Sequence, residues 1–248
     1  MTTPGPPASD DSARHDASAR LFVALDLDSV DAARALVERL SPEIKCFKIG
    51  LELIYADGVE LVRDLAASGY DIFVDAKLLD IGNTVERATA RIAALGARYL
   101  TIHASDTKTL AAAVRGRGDS SLRLLGVTVM TNLDFRDLNE QGITRSPREM
   151  VLHRARLALN AGFDGVIASP QEAATLRQTF GARLEIVTPG VRPAGADTDD
   201  QSRTATPTEA IAAGADKLVI GRPITATGDP PAAARAIIDE VAEALRRR

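Results

Sequence analysis

From Leu21 onward the chain alternates between two rhythms. Short runs rich in β-branched and aromatic residues occupy positions 21–26, 44–49, 71–77, 98–103, 122–129, 164–168, 184–188 and 216–220. Between them, over 30–40, 58–68, 83–95, 147–161, 170–179, 207–213 and 231–246, apolar residues recur at the spacing of a helix that buries one face. Gly69, Gly96, Gly162, Gly181 and Gly214 each stand just past a helical stretch, where a left-handed C-cap belongs. Eight strands, each followed by a helix, within about 230 residues predict an α/β fold: a single (β/α)8 TIM barrel over residues 20–248. An open doubly wound sheet uses the same elements, but its glycine-rich first turn is missing here.

Residues 1–19 break the rhythm. They are rich in Pro, Ser, Asp and Ala without an apolar period, which predicts a disordered tail. A signal peptide would carry an apolar centre, and a transit peptide would avoid Asp10, Asp11 and Asp16.

Composition narrows the function classes. With 45% hydrophobic and 26% charged residues the chain has the balance of a globular protein, and a net charge of −4 gives no footprint for nucleic acid. No apolar stretch approaches the roughly 18 residues of a membrane span. The single cysteine, Cys46, excludes a disulfide framework and a cysteine-based zinc site, fits a reducing cytoplasmic compartment, and reads as a small core residue. A three-histidine metal site would have to recruit His15 from the tail to join His103 and His153, so no metal is expected. Neither GxxxxGK[ST] nor GxGxxG occurs. Only five of the 30 cationic residues are lysine. In a chain that otherwise uses arginine, a retained lysine suggests a compact charge or a transferable proton, although a genomic bias would produce the same count.

In such barrels the active site lies at the C-terminal strand ends. Those ends carry Asp26, Lys48, Asp75 and Lys77, with Asp80 in the next loop. Asp75 and Lys77 are two apart, so on a regular strand both leave on the inward face shared by Phe73. Two carboxylates and two ammonium groups then converge on one rim. A structural ion-pair lattice would have the same pattern, but buried pairs seldom add stability over apolar packing, so the cluster points to function.

The loops after the seventh and eighth strands are the usual phosphate cradle of these barrels. Here they read Thr188-Pro-Gly-Val-Arg192 and Gly221-Arg222-Pro223, combining backbone N–H groups open to an anion with guanidinium forks. The loop 193–205, which contains Gln201, is long enough for a lid. A turn with a solvated arginine is the alternative for Gly221-Arg222-Pro223, but its position favours phosphate binding. His103 reads as a hydrogen-bonded barrel histidine and His153 as a surface residue. The Arg-Gly-Asp tripeptide inside 116–120 reads as a helix-to-strand turn.

Asp75-Ala-Lys77-Leu-Leu-Asp80-Ile81-Gly-Asn-Thr84 resembles the DxKxxDIPNT signature of the orotidine 5′-monophosphate decarboxylase family. Val-Ala-Leu-Asp26, Phe-Lys48-Ile-Gly, Val-Thr-Val-Met-Thr131, Thr-Pro-Gly-Val-Arg192-Pro and Gly221-Arg222-Pro-Ile resemble its other blocks in order, from about Leu21 to Ile224. The chain departs from the family pattern at Ala76, Leu79 and Gly82, and at Ser105-Asp106-Thr107, where a glycine pair is common. None of these changes removes a charged group.

The resemblance implies conversion of orotidine 5′-monophosphate to UMP and CO2, the last step of de novo pyrimidine synthesis, without cofactor or metal. It assigns catalysis to Lys77, Asp75, Lys48 and Asp80, and places Asp26 and Lys48 near the ribose and Thr131 near the base. Gln201, Gly221 and Arg222 hold the phosphate, with Arg192 close by. Asp80, Ile81 and Thr84 belong to the substrate site, with Asp80 and Thr84 reaching the neighbouring subunit of a homodimer. The related 3-keto-L-gulonate 6-phosphate decarboxylases and hexulose-phosphate synthases share Asp-x-Lys-x-x-Asp but use Mg²⁺ and have an acidic residue near the position of Lys48. A non-catalytic phosphate-binding barrel would be expected to have lost one of Lys48, Asp75, Lys77 and Asp80, and all four are present.

Overall fold

The computed structural model describes residues 10–41, 43–193 and 204–247. Its eight strands are β1 (Leu21–Ala24), β2 (Cys46–Gly50), β3 (Asp71–Leu78), β4 (Tyr99–His103), β5 (Arg123–Val127), β6 (Gly165–Ile167), β7 (Glu185–Thr188) and β8 (Lys217–Ile220). All neighbours are parallel, and β8 pairs with β1 to close the barrel in sequence order. Every expected strand is present, trimmed by a residue or more at most ends.

Alternation along the strands separates two cores. One parity contributes Phe22, Ala24, Cys46, Phe73, Tyr99, Leu125, Val127, Ile167, Val187 and Val219, which fill the barrel. The other parity packs outward against the helices, as with Val23, Phe47, Ile72, Val74, Leu100 and Ile102. Inside, Phe22 meets Phe73 and Tyr99 edge to face, with ring centroids 5.5 and 5.2 Å apart, a preferred aromatic geometry. Cys46 is buried among these groups, and burial pushes its thiol up to about 11.

The helices begin where the sequence offers a cap. Ser146 and Glu149 form a capping box ahead of Pro147–Ala161, and Thr206 and Glu209 form one ahead of Pro207–Ala212. In both, proline occupies the first turn, where its missing N–H has no partner to lose. All five glycines expected to end helices have positive φ.

Three expectations are corrected. The first concerns the tail: Asp10–Ala19 is a helix, not disordered chain. Ala13 and Ala17, four residues apart, turn one small-residue face onto the core, and Ala17 is fully buried. Arg14 pairs with Asp239 on the C-terminal helix Pro230–Arg246, and Lys217 Nζ donates to the Ala19 carbonyl at 2.6 Å. Alanine carries so little apolar surface that such a face leaves hardly any period in the sequence.

The second is the helix Thr107–Arg117, which takes in Gly116 and Arg117 of the supposed turn. A Cβ at Gly116 would lie 2.2 Å from the Glu86 carbonyl oxygen. Glycine there permits close contact with the helix Gly82–Ala94.

The third lies in β3. Its regular pairing with β4 stops at Val74↔Leu100 and resumes at Leu78↔Ile102. Asp75, Ala76 and Lys77 therefore stand opposite Thr101 alone, a bulge, and Lys77 has φ +45°. Simple two-residue alternation does not describe this segment.

Candidate active site

Asp26, one parity step beyond Ala24, and Lys48, one beyond Cys46, stand above the apolar filling of the barrel. Lys48 Nζ donates to Asp26 Oδ1 at 2.7 Å and lies 3.7 Å from Asp75 Oδ2. Lys77 Nζ donates to Asp75 Oδ2 at 2.8 Å. The result is an alternating chain, Asp26–Lys48–Asp75–Lys77. Lys48 and Asp75 are its buried centre, with side chains 9% and 13% exposed, against 51% for Asp26 and 34% for Lys77. Charge alternation is what makes this burial tolerable. Gly50 gives the chain room, since a Cβ there would lie 3.0 Å from both Asp26 Oδ1 and Lys48 Nζ.

Burial by itself would raise the Asp75 carboxyl. The ammonium groups of Lys48 and Lys77, with hydrogen bonds from Lys77 and Thr101, outweigh burial and hold it below the ordinary carboxylate range. Half-buried His103 ends β4. Its desolvation, followed by the positive charges of Arg154 and Lys77, lowers its pKa and favours the neutral imidazole. His153 is partly covered rather than freely exposed.

The charged chain opens onto a cleft of about 630 Å³ that Thr131, Arg192, Gly221 and Arg222 also line. Phe73, Val127, Ile167 and Val219 supply its apolar walls. The Arg192 N–H donates to the Ala205 carbonyl at 2.9 Å, pinning together the two ends of the long loop. Gln201 lies outside the described residues.

The structure does not bring Asp80, Ile81 and Thr84 into this cleft. All three are exposed, and the Asp80 carboxylate accepts the Ile81 N–H at 2.6 Å. Leu79 and Ile81, on either side of Asp80, are 58% and 74% exposed.

Reading only strand ends missed Thr101. This fully buried residue on β4 donates its hydroxyl to Asp75 Oδ1 at 2.8 Å and accepts the Lys77 backbone N–H at 2.9 Å. The available signal was a threonine of inward parity between Tyr99 and His103. Left-handed backbone at a residue with a side chain costs about 1–2 kcal/mol, and at Lys77 it occurs where the strand turns its ammonium back onto Asp75.

The model of the family described as orotidine 5′-phosphate decarboxylase / HUMPS matches residues 19–237. The chain belongs to this family. An orotidine 5′-phosphate decarboxylase of Rhodopseudomonas palustris (strain BisB5) is 51% identical over 225 residues, covering 91% of this chain and 95% of the relative. One of Caulobacter sp. (strain K31) is 49% identical over 226 residues, covering 91% and 98%. The crystal structure of the orotidine 5′-phosphate decarboxylase of Lactobacillus acidophilus superposes with a TM-score of 0.78 at 35% identity, covering 89% of this chain and 98% of that one. The family match therefore spans all eight strands and ends within the C-terminal helix. Among the described residues, no helix is long and apolar enough to cross a membrane.

Proposed function

We propose that this chain converts orotidine 5′-phosphate to UMP and CO2 in a site built on Asp26, Lys48, Asp75 and Lys77. The observation that carries this reading is the alternation itself: each carboxylate already has an ammonium partner, and the terminal ammonium, Lys77, faces the cleft.

Breaking the bond from pyrimidine C6 to the carboxylate leaves an electron pair on C6, with no adjacent carbonyl to delocalise it in the usual way. A fixed ammonium beside C6 stabilises that developing charge. It then transfers a proton from Nζ to C6, and solvent restores the proton to the amine. Asp75 faces the substrate carboxylate and keeps Lys77 charged. Its low pKa keeps it ionised across the neutral range. Lys48 fixes Asp75 from the other side, and with Asp26 it reaches the ribose hydroxyls. Thr131 stands near the base.

Gly221, Arg222 and Gln201 hold the phosphate, with Arg192 beside them. A phosphate anchor remote from C6 can stabilise the transition state by closing the loop over the cleft. Arg222→Ala should therefore act mainly on binding, raising KM roughly 10- to 100-fold, the range expected for a lost charge-assisted contact. Steady-state kinetics would remove Arg222 from the phosphate site if KM stayed at the wild-type value.

The active unit is a homodimer in the cytoplasm, with Asp80 and Thr84 serving the neighbouring subunit's cleft. Support comes from their position beyond the strand end and from the exposed apolar side chains of Leu79 and Ile81 beside Asp80.

The family description also includes HUMPS enzymes. Lys48 distinguishes the two branches, because an ammonium 2.7 Å from Asp26 and 3.7 Å from Asp75 occupies the carboxylates and repels a divalent cation. The deciding experiment follows the absorbance of orotidine 5′-phosphate on adding purified protein in EDTA. Turnover is expected. Inertness there, combined with Mg²⁺-dependent turnover of a keto-sugar phosphate, would overturn this reading.

A further inference from the structure

We infer that Thr101 is a positioning residue for decarboxylation, holding Asp75 and Lys77 in their working geometry through one hydroxyl. This inference rests on the proposed roles of those two residues. A threonine hydroxyl has a single proton to donate. That proton goes to Asp75 Oδ1 at 2.8 Å, and the same oxygen accepts the Lys77 N–H at 2.9 Å. One buried atom thus ties the carboxylate of the first residue to the backbone of the second.

The bulge explains why a side chain is needed there. Regular β3–β4 pairing is interrupted between Val74 and Leu78, leaving three residues of β3 opposite Thr101. The Lys77 N–H is bound by the Thr101 side chain, so this hydroxyl stands in for a ladder carbonyl just where the backbone is left-handed. The two carboxylate oxygens of Asp75 are divided between partners. Oδ2 faces the ammonium groups of Lys77 and Lys48, and Oδ1 takes the hydroxyl. Thr101 is fully buried and does not line the cleft, so it acts through its two partners rather than on substrate.

Without the hydroxyl, Asp75 is held through Oδ2 alone and Lys77 loses the side-chain partner of its backbone N–H at the bulge. A displacement of this kind lowers the chemical step far more than it weakens a nucleotide held by its phosphate.

The test compares Thr101→Val, Thr101→Ser and Thr101→Ala in the full-length protein. Valine keeps the shape and removes the hydroxyl. It should lower kcat roughly 10- to 100-fold, as expected for leaving buried polar partners unpaired, while KM stays within about threefold of wild type. The acid limb of its kcat/KM profile should move to higher pH, because Asp75 loses a hydrogen bond that favours its ionised form. Serine, which restores the oxygen, should recover most of kcat and the wild-type acid limb.

Serine and alanine differ by that oxygen alone and both lack the methyl group. Their comparison decides the matter even if the valine chain fails to fold, which circular dichroism and UMP binding would reveal. Wild-type kcat in Thr101→Val, or equal kcat in Thr101→Ser and Thr101→Ala, would overturn the assignment. Lys77→Ala is run alongside. If it is inactive while the Thr101 hydroxyl makes no difference, only the Thr101 role falls. If Lys77→Ala turns over normally, the underlying site assignment falls, and the Thr101 inference with it.

Discussion

Replacing Lys77 with alanine is expected to remove decarboxylation while leaving nucleotide binding nearly intact. Two contributions disappear together: the fixed positive charge beside C6 and the proton that must reach it. Either alone is commonly worth a factor of about 10² to 10⁴, so a combined loss of at least about 10⁴-fold in kcat is expected. Binding should survive because the proposed phosphate contacts are in the loops after β7 and β8, and β7 lies opposite β3 in the eight-stranded ring. The variant should also fold. Lys77 is one-third exposed, and Asp75 keeps Lys48 at 3.7 Å and the Thr101 hydroxyl at 2.8 Å. Single-turnover assays paired with UMP titration give the two readouts separately. Comparable turnover in the variant would eliminate Lys77 as proton donor.

Mixing two inactive chains should restore activity. Lys77 lies within its own barrel cleft, whereas Asp80 is exposed beyond β3, bonded to its own Ile81 N–H and outside the cleft of its own chain. If Asp80 completes the neighbouring subunit's site, a dimer of one Lys77→Ala chain and one Asp80→Ala chain contains two unlike sites. One carries both defects and the other carries none. Random exchange makes half the dimers mixed, so about a quarter of wild-type activity should return under two-fold symmetry. If Asp80 served its own chain, every site would carry one defect and mixing would restore nothing. A mass tag that confirms exchange makes either result decisive.

The barrel was legible before folding, because its eight strands and their helices are written in local periodicities and the closed ring follows from repeating one right-handed unit. Strand ends and the loops after the seventh and eighth strands also indicated Asp26, Lys48, Asp75, Lys77, Arg192, Gly221 and Arg222, since barrel chemistry collects there, and the family resemblance added Thr131. All eight line the one cleft. Other features depend on contacts that local rules do not encode. The N-terminal helix exists because Ala13 and Ala17 find a packing partner that a reading of residues 1–19 alone does not reveal. The bulge at Lys77 arises from mismatched register between two strands some 25 residues apart, and register is a property of the pair. Thr101 looks like an ordinary β-branched strand residue until that bulge places its hydroxyl between a carboxylate and an amide. Periodicity is local, so it survives in the sequence, whereas a hydrogen bond across strands takes its meaning only when the partner is in place.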